Sequence, residues 1–221
     1  MNKLFIIACS HGMGCEIEGA GIGHFTKTNL ENCYGSIVAK KLNLKPINLS
    51  WPGGSNDRIH RAIHSLLNDG FEFFENTYKA EPEDKFLIQW TGPDRIELKT
   101  NDGYQNFSVG MGYEGINPDG TKWSVSKDNK KFYEHYINYI ANPEYTNILK
   151  LKNILSAKYM LDKSGHTYWM TESDRSVYNE GFIIKTPYWE YLSKKGFKRT
   201  PAEHFGADAH KEWAKLILES I

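Results

Sequence analysis

The sequence lacks most of the features that would mark a specialised partner. Its 27 Lys and Arg balance 27 Asp and Glu, so the formal net charge is zero. A chain that neutralises phosphate backbones or anionic lipid carries a basic excess, and none is present. No nucleic-acid or membrane partner is therefore expected. No apolar run approaches the roughly 20 residues that span a bilayer. Cysteine is scarce: Cys9, Cys15 and Cys33 are odd in number and lack the spacing of a zinc site or a disulfide framework, which points to a reducing setting. The apolar stretch Leu4–Ala8 is shorter than the roughly 7–15 residues of a signal h-region, so it reads as a strand and a cytoplasmic location is expected. Gly12-Met13-Gly14 and Gly19-Ala20-Gly21-Ile22-Gly23 make neither G-x-G-x-x-G opening a helix nor a Walker pattern, and no cofactor is expected. There is no repeat and no low-complexity tract.

What is present is a foldable chain of 221 residues, 40% hydrophobic and 14% aromatic, too apolar to be disordered. One α/β domain over 1–221 is expected. Leu4–Ala8, Pro46–Leu49, Lys85–Trp90 and His166–Thr171 are short runs of strand formers. Helical spacing recurs over Cys33–Leu42, Asp57–Asn68, Phe132–Leu161 (broken near Asn142-Pro143), Trp189–Lys195 and Asp208–Ile221. Alternating strands and helices predict a three-layer α/β/α sandwich around a short parallel sheet. Residues 70–84 read as a helix end and connection. Residues 98–131 show no strand or helix period and are too long for an ordinary loop, so they read as a partly ordered insertion. Its aromatics Tyr104, Phe107, Tyr113 and Trp123 suit either a sugar-binding cleft or a small satellite core.

Ser10 follows the first strand, at the carboxyl end where open α/β sheets gather ligands. Ala8-Cys9-Ser10-His11-Gly12 is one change from the G-x-S-x-G elbow. An elbow of that kind follows several strands, and nine residues leave no room for them. Cys9, the neighbour of Ser10 along an extended chain, points to the opposite face and reads as packing. A serine hydroxyl needs a base, and His204, just before the last helix, is the histidine placed to reach Ser10 across the sheet end. His210 reads as structural. Gly53 and Gly54 offer backbone N–H groups that no side chain screens. His60 and His64 are four apart on a helix, but with Arg61 after His60 the H-E-x-x-H pattern fails and no metal is expected.

Taken in order, these blocks resemble the SGNH (GDSL-like) hydrolase family. Ala8-Cys9-Ser10-His11 is similar to its first block, with Ser10 at the nucleophile position. Asn48-Leu49-Ser50-Trp51-Pro52-Gly53-Gly54-Ser55-Asn56 is similar to the second, with Gly53 at the oxyanion glycine. His204, with His210 and Trp213-Ala214 after it, is similar to the last. The third block departs: Thr91-Gly92-Pro93-Asp94 puts Pro93 where the family has its oxyanion asparagine, and proline has no N–H to donate. Thr91, Asn56 and Arg95 are the substitutes at hand, with Asp94 beside them. The last block departs too, with Pro201 at the position of the family aspartate. Glu203, Glu172 and Asp174 are then the acids available to His204, and a Ser–His dyad is the alternative. Arg95 and Glu97 also read as a surface ion pair.

The resemblance implies a serine esterase or deacylase acting on an O-acyl ester of a carbohydrate or small metabolite. The alternatives are a degenerate member that binds a glycan or a protein partner, and an O-acyltransferase. Substrate and oligomeric state stay open.

Overall fold

The computed structural model describes residues 1–17, 26–100, 103–108, 114–116, 122–124, 127–174, 178, 180–200 and 204–221. Its centre is a four-stranded, all-parallel sheet built from β1 (Lys3–Ile7), β2 (Lys45–Asn48), β5 (Lys85–Trp90) and β10 (Thr167–Glu172), in the spatial order β10-β5-β1-β2. The chain runs from β1 to β2 on one side and then to β5 on the other. The order therefore reverses beside β1, where an open α/β sheet leaves a crevice at its carboxyl ends.

Strand β1 is buried on both faces, and its side chains separate cleanly. Phe5 and Ile7 enter one core layer, Leu4 and Ile6 the other. The first layer is closed by α4 (Asn56–Leu67) and α6 (Pro143–Ser164), which contribute Ile59, Ile63 and Leu66, and Ile154 and Leu161. The second is closed by α3 (Tyr34–Lys41), α7 (Tyr188–Lys194) and α8 (Ala207–Glu219), which contribute Val38, Leu192, Trp213 and Ile217. This is the three-layer α/β sandwich that the alternation predicts.

Helix ends follow local chemistry. Ser55 caps α4 by accepting from Arg58 N–H at 3.2 Å. Asn142 caps α6 by accepting from Tyr145 N–H at 2.9 Å, Pro143 opens that helix, and Gly165 ends it in the left-handed region at φ 73°. The break expected near Asn142-Pro143 is this cap. It separates α6 from α5 (Lys127–His135) and a π-helical turn, Tyr136–Ile140. Lys150 of α6 forms a buried ion pair with Glu172 at the end of β10.

Two stretches differ from expectation. Residues 70–84 hold a hairpin, β3 (Phe71–Phe73) and β4 (Asn76–Tyr78), rather than a helix end. Residues 98–131 include ribbons: β6 (Arg95–Thr100) pairs with β7 (Gly103–Ser108), and β8 (Glu114–Ile116) with β9 (Lys122–Ser124), all antiparallel. These ribbons lie outside the main sheet. Their sequences carry no regular apolar alternation, the signal by which strands are recognised. Short α1 (Ser10–Met13) and α2 (Lys27–Asn32) complete the elements. Among the described residues, no helix is long and apolar enough to cross a membrane.

Helix α3 sits close to β1 because Gly35 has no side chain: a Cβ there would lie 2.6 Å from Ile6 Cγ2. Gly35→Val should lower the unfolding free energy by about 1–3 kcal/mol through overpacking. A urea melt checks this; an unchanged midpoint would contradict the close approach.

Candidate active site

Three loops leave the carboxyl ends of β1, β2 and β5 on the same edge of the sheet. Their backbone bonds continue past the strands, with Leu49 N–H to Ile6 O at 2.8 Å and Trp51 N–H to Ala8 O at 3.1 Å. Ser10 opens α1 and is largely buried, and Gly12 folds the helix against Ser50 and Tyr34, where a Cβ would collide with Ala8. Cys9 is fully buried and caps α1, its carbonyl accepting from Gly12 and Met13.

His204 arrives from the other end of the chain. Its Nδ1 lies 3.0 Å from Glu16 Oε2, and Glu16 is only 4% exposed. Thr200 Oγ1 donates to the same carboxylate oxygen and accepts from His204 N–H at 3.1 Å. Glu16 adopts φ 65°, a left-handed conformation that a non-glycine residue holds at a cost. The carboxylate bonded to His204 is thus Glu16, not one of the three acids expected. Glu172 is paired with Lys150. Asp174 lies toward Gly92, 3.7 Å from where a Cβ would stand. Glu203, like Pro201, falls outside the described residues.

The residue that joins Ser10 to His204 is His11. Its ring packs 5.1 Å from the His204 ring and 4.9 Å from Trp189. Trp189 Nε1–H donates to His11 Nε2 at 2.7 Å. An indole nitrogen only donates, so the neutral His11 carries its proton on Nδ1, and that atom is buried without a hydrogen-bond partner. Burial first, then the neighbouring His204, Arg95 and His210, hold the His11 pKa well below the ordinary imidazole value. No hydrogen bond joins Ser10 Oγ to His204 in this structure. Apo catalytic contacts are often long and tighten on substrate binding.

The other site residues divide by what they already bond. Asn56 is committed: its Nδ2 donates to Thr91 O at 3.2 Å and Gly92 O at 3.1 Å, and its Oδ1 accepts from Thr91 N–H at 2.9 Å. It ties α4 to the end of β5, and both its own N–H groups and the Thr91 amide are used. Gly54 N–H closes a turn onto Trp51 O at 2.9 Å. Gly53, at φ 67°, opens to free space, and its N–H finds no acceptor among the described residues. Asp94 turns Oδ1 against Gly92, and its carbonyl receives Tyr136 O–H at 3.5 Å. Arg95 keeps a buried Nη1 that has no acceptor among the described residues. The expected Arg95–Glu97 pair is absent, because Glu97 is held by Arg61 through bonds of 2.6 and 2.8 Å. His210 is structural: Nδ1 accepts from Tyr34 N–H at 3.2 Å, and burial, then His204, push its pKa down to about 3. His60 Nε2 meets Ser156 Oγ at 2.9 Å, and among the described residues no three His, Cys, Asp or Glu side chains gather as a metal site would require. Tyr104 lies under Arg61, whose guanidinium carbon is 3.8 Å from its ring. Tyr113 and the side chains of Phe107 and Trp123 fall outside what the structure describes.

This architecture has a solved counterpart. The chain shares its fold with an esterase. Est2A, an acetyl xylan esterase from the rumen bacterium Butyrivibrio proteoclasticus, superposes at TM-score 0.51 and 15% identity over 99% of this chain. The chain spans 63% of that enzyme's length. A family two carbohydrate esterase from Clostridium thermocellum in complex with cellohexaose matches at TM-score 0.43 and 13% identity, over 100% of this chain and 63% of its own. The psychrotrophic esterase EstA from Pseudoalteromonas sp. matches at TM-score 0.39 and 13% identity, over 100% and 96%. No family model and no curated protein matches the sequence. The three-layer α/β/α sandwich expected from the sequence is the fold observed, and it is shared with that acetyl xylan esterase.

His11 and His210 are both buried and both kept neutral. The unfolded chain takes up their protons near the ordinary histidine value, and the folded chain does so only at much lower pH. Stability should therefore fall as pH drops below about 6.5, by about 2 kcal/mol between pH 6.5 and 5.5 from these two alone. Urea midpoints across that range, compared with those of His11→Gln, check it: the variant should show a flatter dependence.

Proposed function

We propose that the protein is a serine esterase that removes an O-acyl group from a carbohydrate. The observation that carries this reading is the buried Glu16–His204 bond. It fixes His204 Nδ1 as the donor to the carboxylate and leaves Nε2 free of that bond, with a lone pair to act as the base. The fold shared with an acetyl xylan esterase supports the ester of a glycan as substrate.

In this mechanism substrate brings Ser10 Oγ and His204 Nε2 together. Nε2 takes the hydroxyl proton as Oγ bonds to the acyl carbon, and the carbonyl π-electrons move onto oxygen. The N–H groups of Ser10 and Gly53 and the spare Nη1–H of Arg95 hold that oxyanion. Arg95 thereby supplies the donor that Pro93 lacks. The imidazolium, steadied by Glu16, returns its proton to the departing sugar alkoxide. A water, deprotonated by the same Nε2, then cleaves the acyl-enzyme to a free acid and restores Ser10.

A fluorophosphonate probe should label the wild-type protein and leave Ser10→Ala unlabelled; equal labelling would sink the assignment. Glu16→Gln should lower kcat on an acetylated methyl glycoside by about 10³–10⁴-fold with little change in KM. Loss confined to KM would remove Glu16 from the mechanism. Glycan binding with no turnover across acetyl, feruloyl and longer acyl esters is the outcome that favours a binding protein.

A further inference from the structure

The β3–β4 hairpin and the β6–β7 ribbon, with α4 behind them, line a cleft of about 250 Å³ beside the Gly53 loop. Trp51, Phe71, Phe73 and Tyr104 supply its aromatic walls. The cleft is anchored to the candidate active site at two points: Trp51 N–H bonds to Ala8 O, and Ser55 N–H bonds to Asn106 Oδ1 at 3.1 Å.

Arg58 also lines this cleft, and among the described residues no carboxylate bonds its guanidinium. Its side chain is buried, with the residue only 4% exposed. Its guanidinium lies 5.4 Å from the rings of Trp51 and Phe71 and 5.7 Å from that of Phe73. One nitrogen, Nη1, donates to Leu49 O at 2.9 Å. Among the described residues the side chain makes no other hydrogen bond and no ion pair. Glu97 gives both carboxylate oxygens to Arg61 next to it, so its field favours the Arg58 charge without bonding it. Glu72 stands at the exposed rim. Burial pushes the Arg58 pKa down to about 10, so the group stays charged at neutral pH. A buried cation without an anion is destabilising, and a carboxylate is the geometric complement of its free fork.

The walls narrow the choice further. Aromatic faces are negative and receive the weakly positive C–H face of a saturated ring. The volume is below the roughly 300–1,000 Å³ of drug-sized sites and suits a single ring. We propose that the cleft binds a carboxylate-bearing sugar ring, a uronate unit of the glycan, through Arg58 and the aromatic walls. Its role in substrate choice rests on the esterase reading above; the binding itself does not.

Calorimetry with methyl β-D-glucuronide, methyl β-D-glucoside and benzoate tests this on the wild-type and Ser10→Ala proteins. The glucuronide should bind at least about tenfold more tightly than the other two, and equally in both proteins. Arg58→Met should weaken glucuronide about 10- to 100-fold and leave glucoside unchanged. Equal affinity for glucoside, or no binding by either sugar, overturns the proposal. Benzoate binding as tightly as glucuronide overturns the sugar ring. If Arg58→Met does not fold by circular dichroism, the ligand comparison on the wild type decides alone. Glucuronide binding without turnover of its acetyl ester counts against the esterase reading and leaves the cleft standing.

Discussion

The placement of β1 between β2 and β5 is the constraint on which the site depends. Ile6 pairs with Asn48 and Ile7 with Ile88, so β1 and β2 end within a residue of each other and β5 runs on two residues past them to Trp90. A slip of one residue would send Phe5 and Ile7 into the wrong layer. Because both layers are packed solid around β1, that slip is strongly disfavoured. The loops carrying Ser10, Gly53 and Thr91–Arg95 inherit this rigidity. Asn56 then locks two of them together by using its whole amide on the end of β5. The position in the second motif block that looked like a ligand donor is a brace.

Zero net charge hides a local imbalance. At the carboxyl end of the sheet, the His11 and His204 rings lie 5.1 Å apart, centroid to centroid. The indole N–H of Trp189 occupies His11 Nε2, while Glu16 bonds His204 Nδ1. Burial first, and then His204, hold the His11 pKa low, so the His11 ring stays neutral. Arg95 and Arg58 add unmatched donors on either side, so the surroundings favour groups that are, or become, negative.

The sequence made the core legible because its strands are buried on both faces and its helices are capped by Ser55, Asn142 and Gly165. Lys85–Trp90 is recognisable as a strand from composition alone. The ribbons were hidden by their polarity, since strands outside the main sheet carry little periodic signal. Ser10, Gly53 and His204 stand out through their position relative to strands and to the last helix. Glu16 does not, because it sits in a glycine-rich stretch that reads as loop, and its partner is 188 residues away. Its only local signal is an isolated acid soon after the serine. Arg58 was concealed for a different reason: on a helix of Asn, Asp, Arg and His it looks like the solvated face, and only the structure reveals that it is buried with no carboxylate bonded to it among the described residues.

The acid's location also changes what holds the site together. In the motif that the last block resembles, aspartate and histidine share one loop, so their bond is local. Here the carboxylate of Glu16 comes from the segment after Ser10 and the imidazole of His204 from the segment before α8. The Glu16–His204 bond, reinforced by Thr200, is a tertiary link between the two ends of the chain. Its geometry exists only when α8 has docked through Trp213 and Ile217 onto the layer that Leu4 and Ile6 share. The orientation of the His204 ring is therefore a property of the closed fold. Substitutions that loosen α8 should disorder His204 even where they touch nothing at the sheet end.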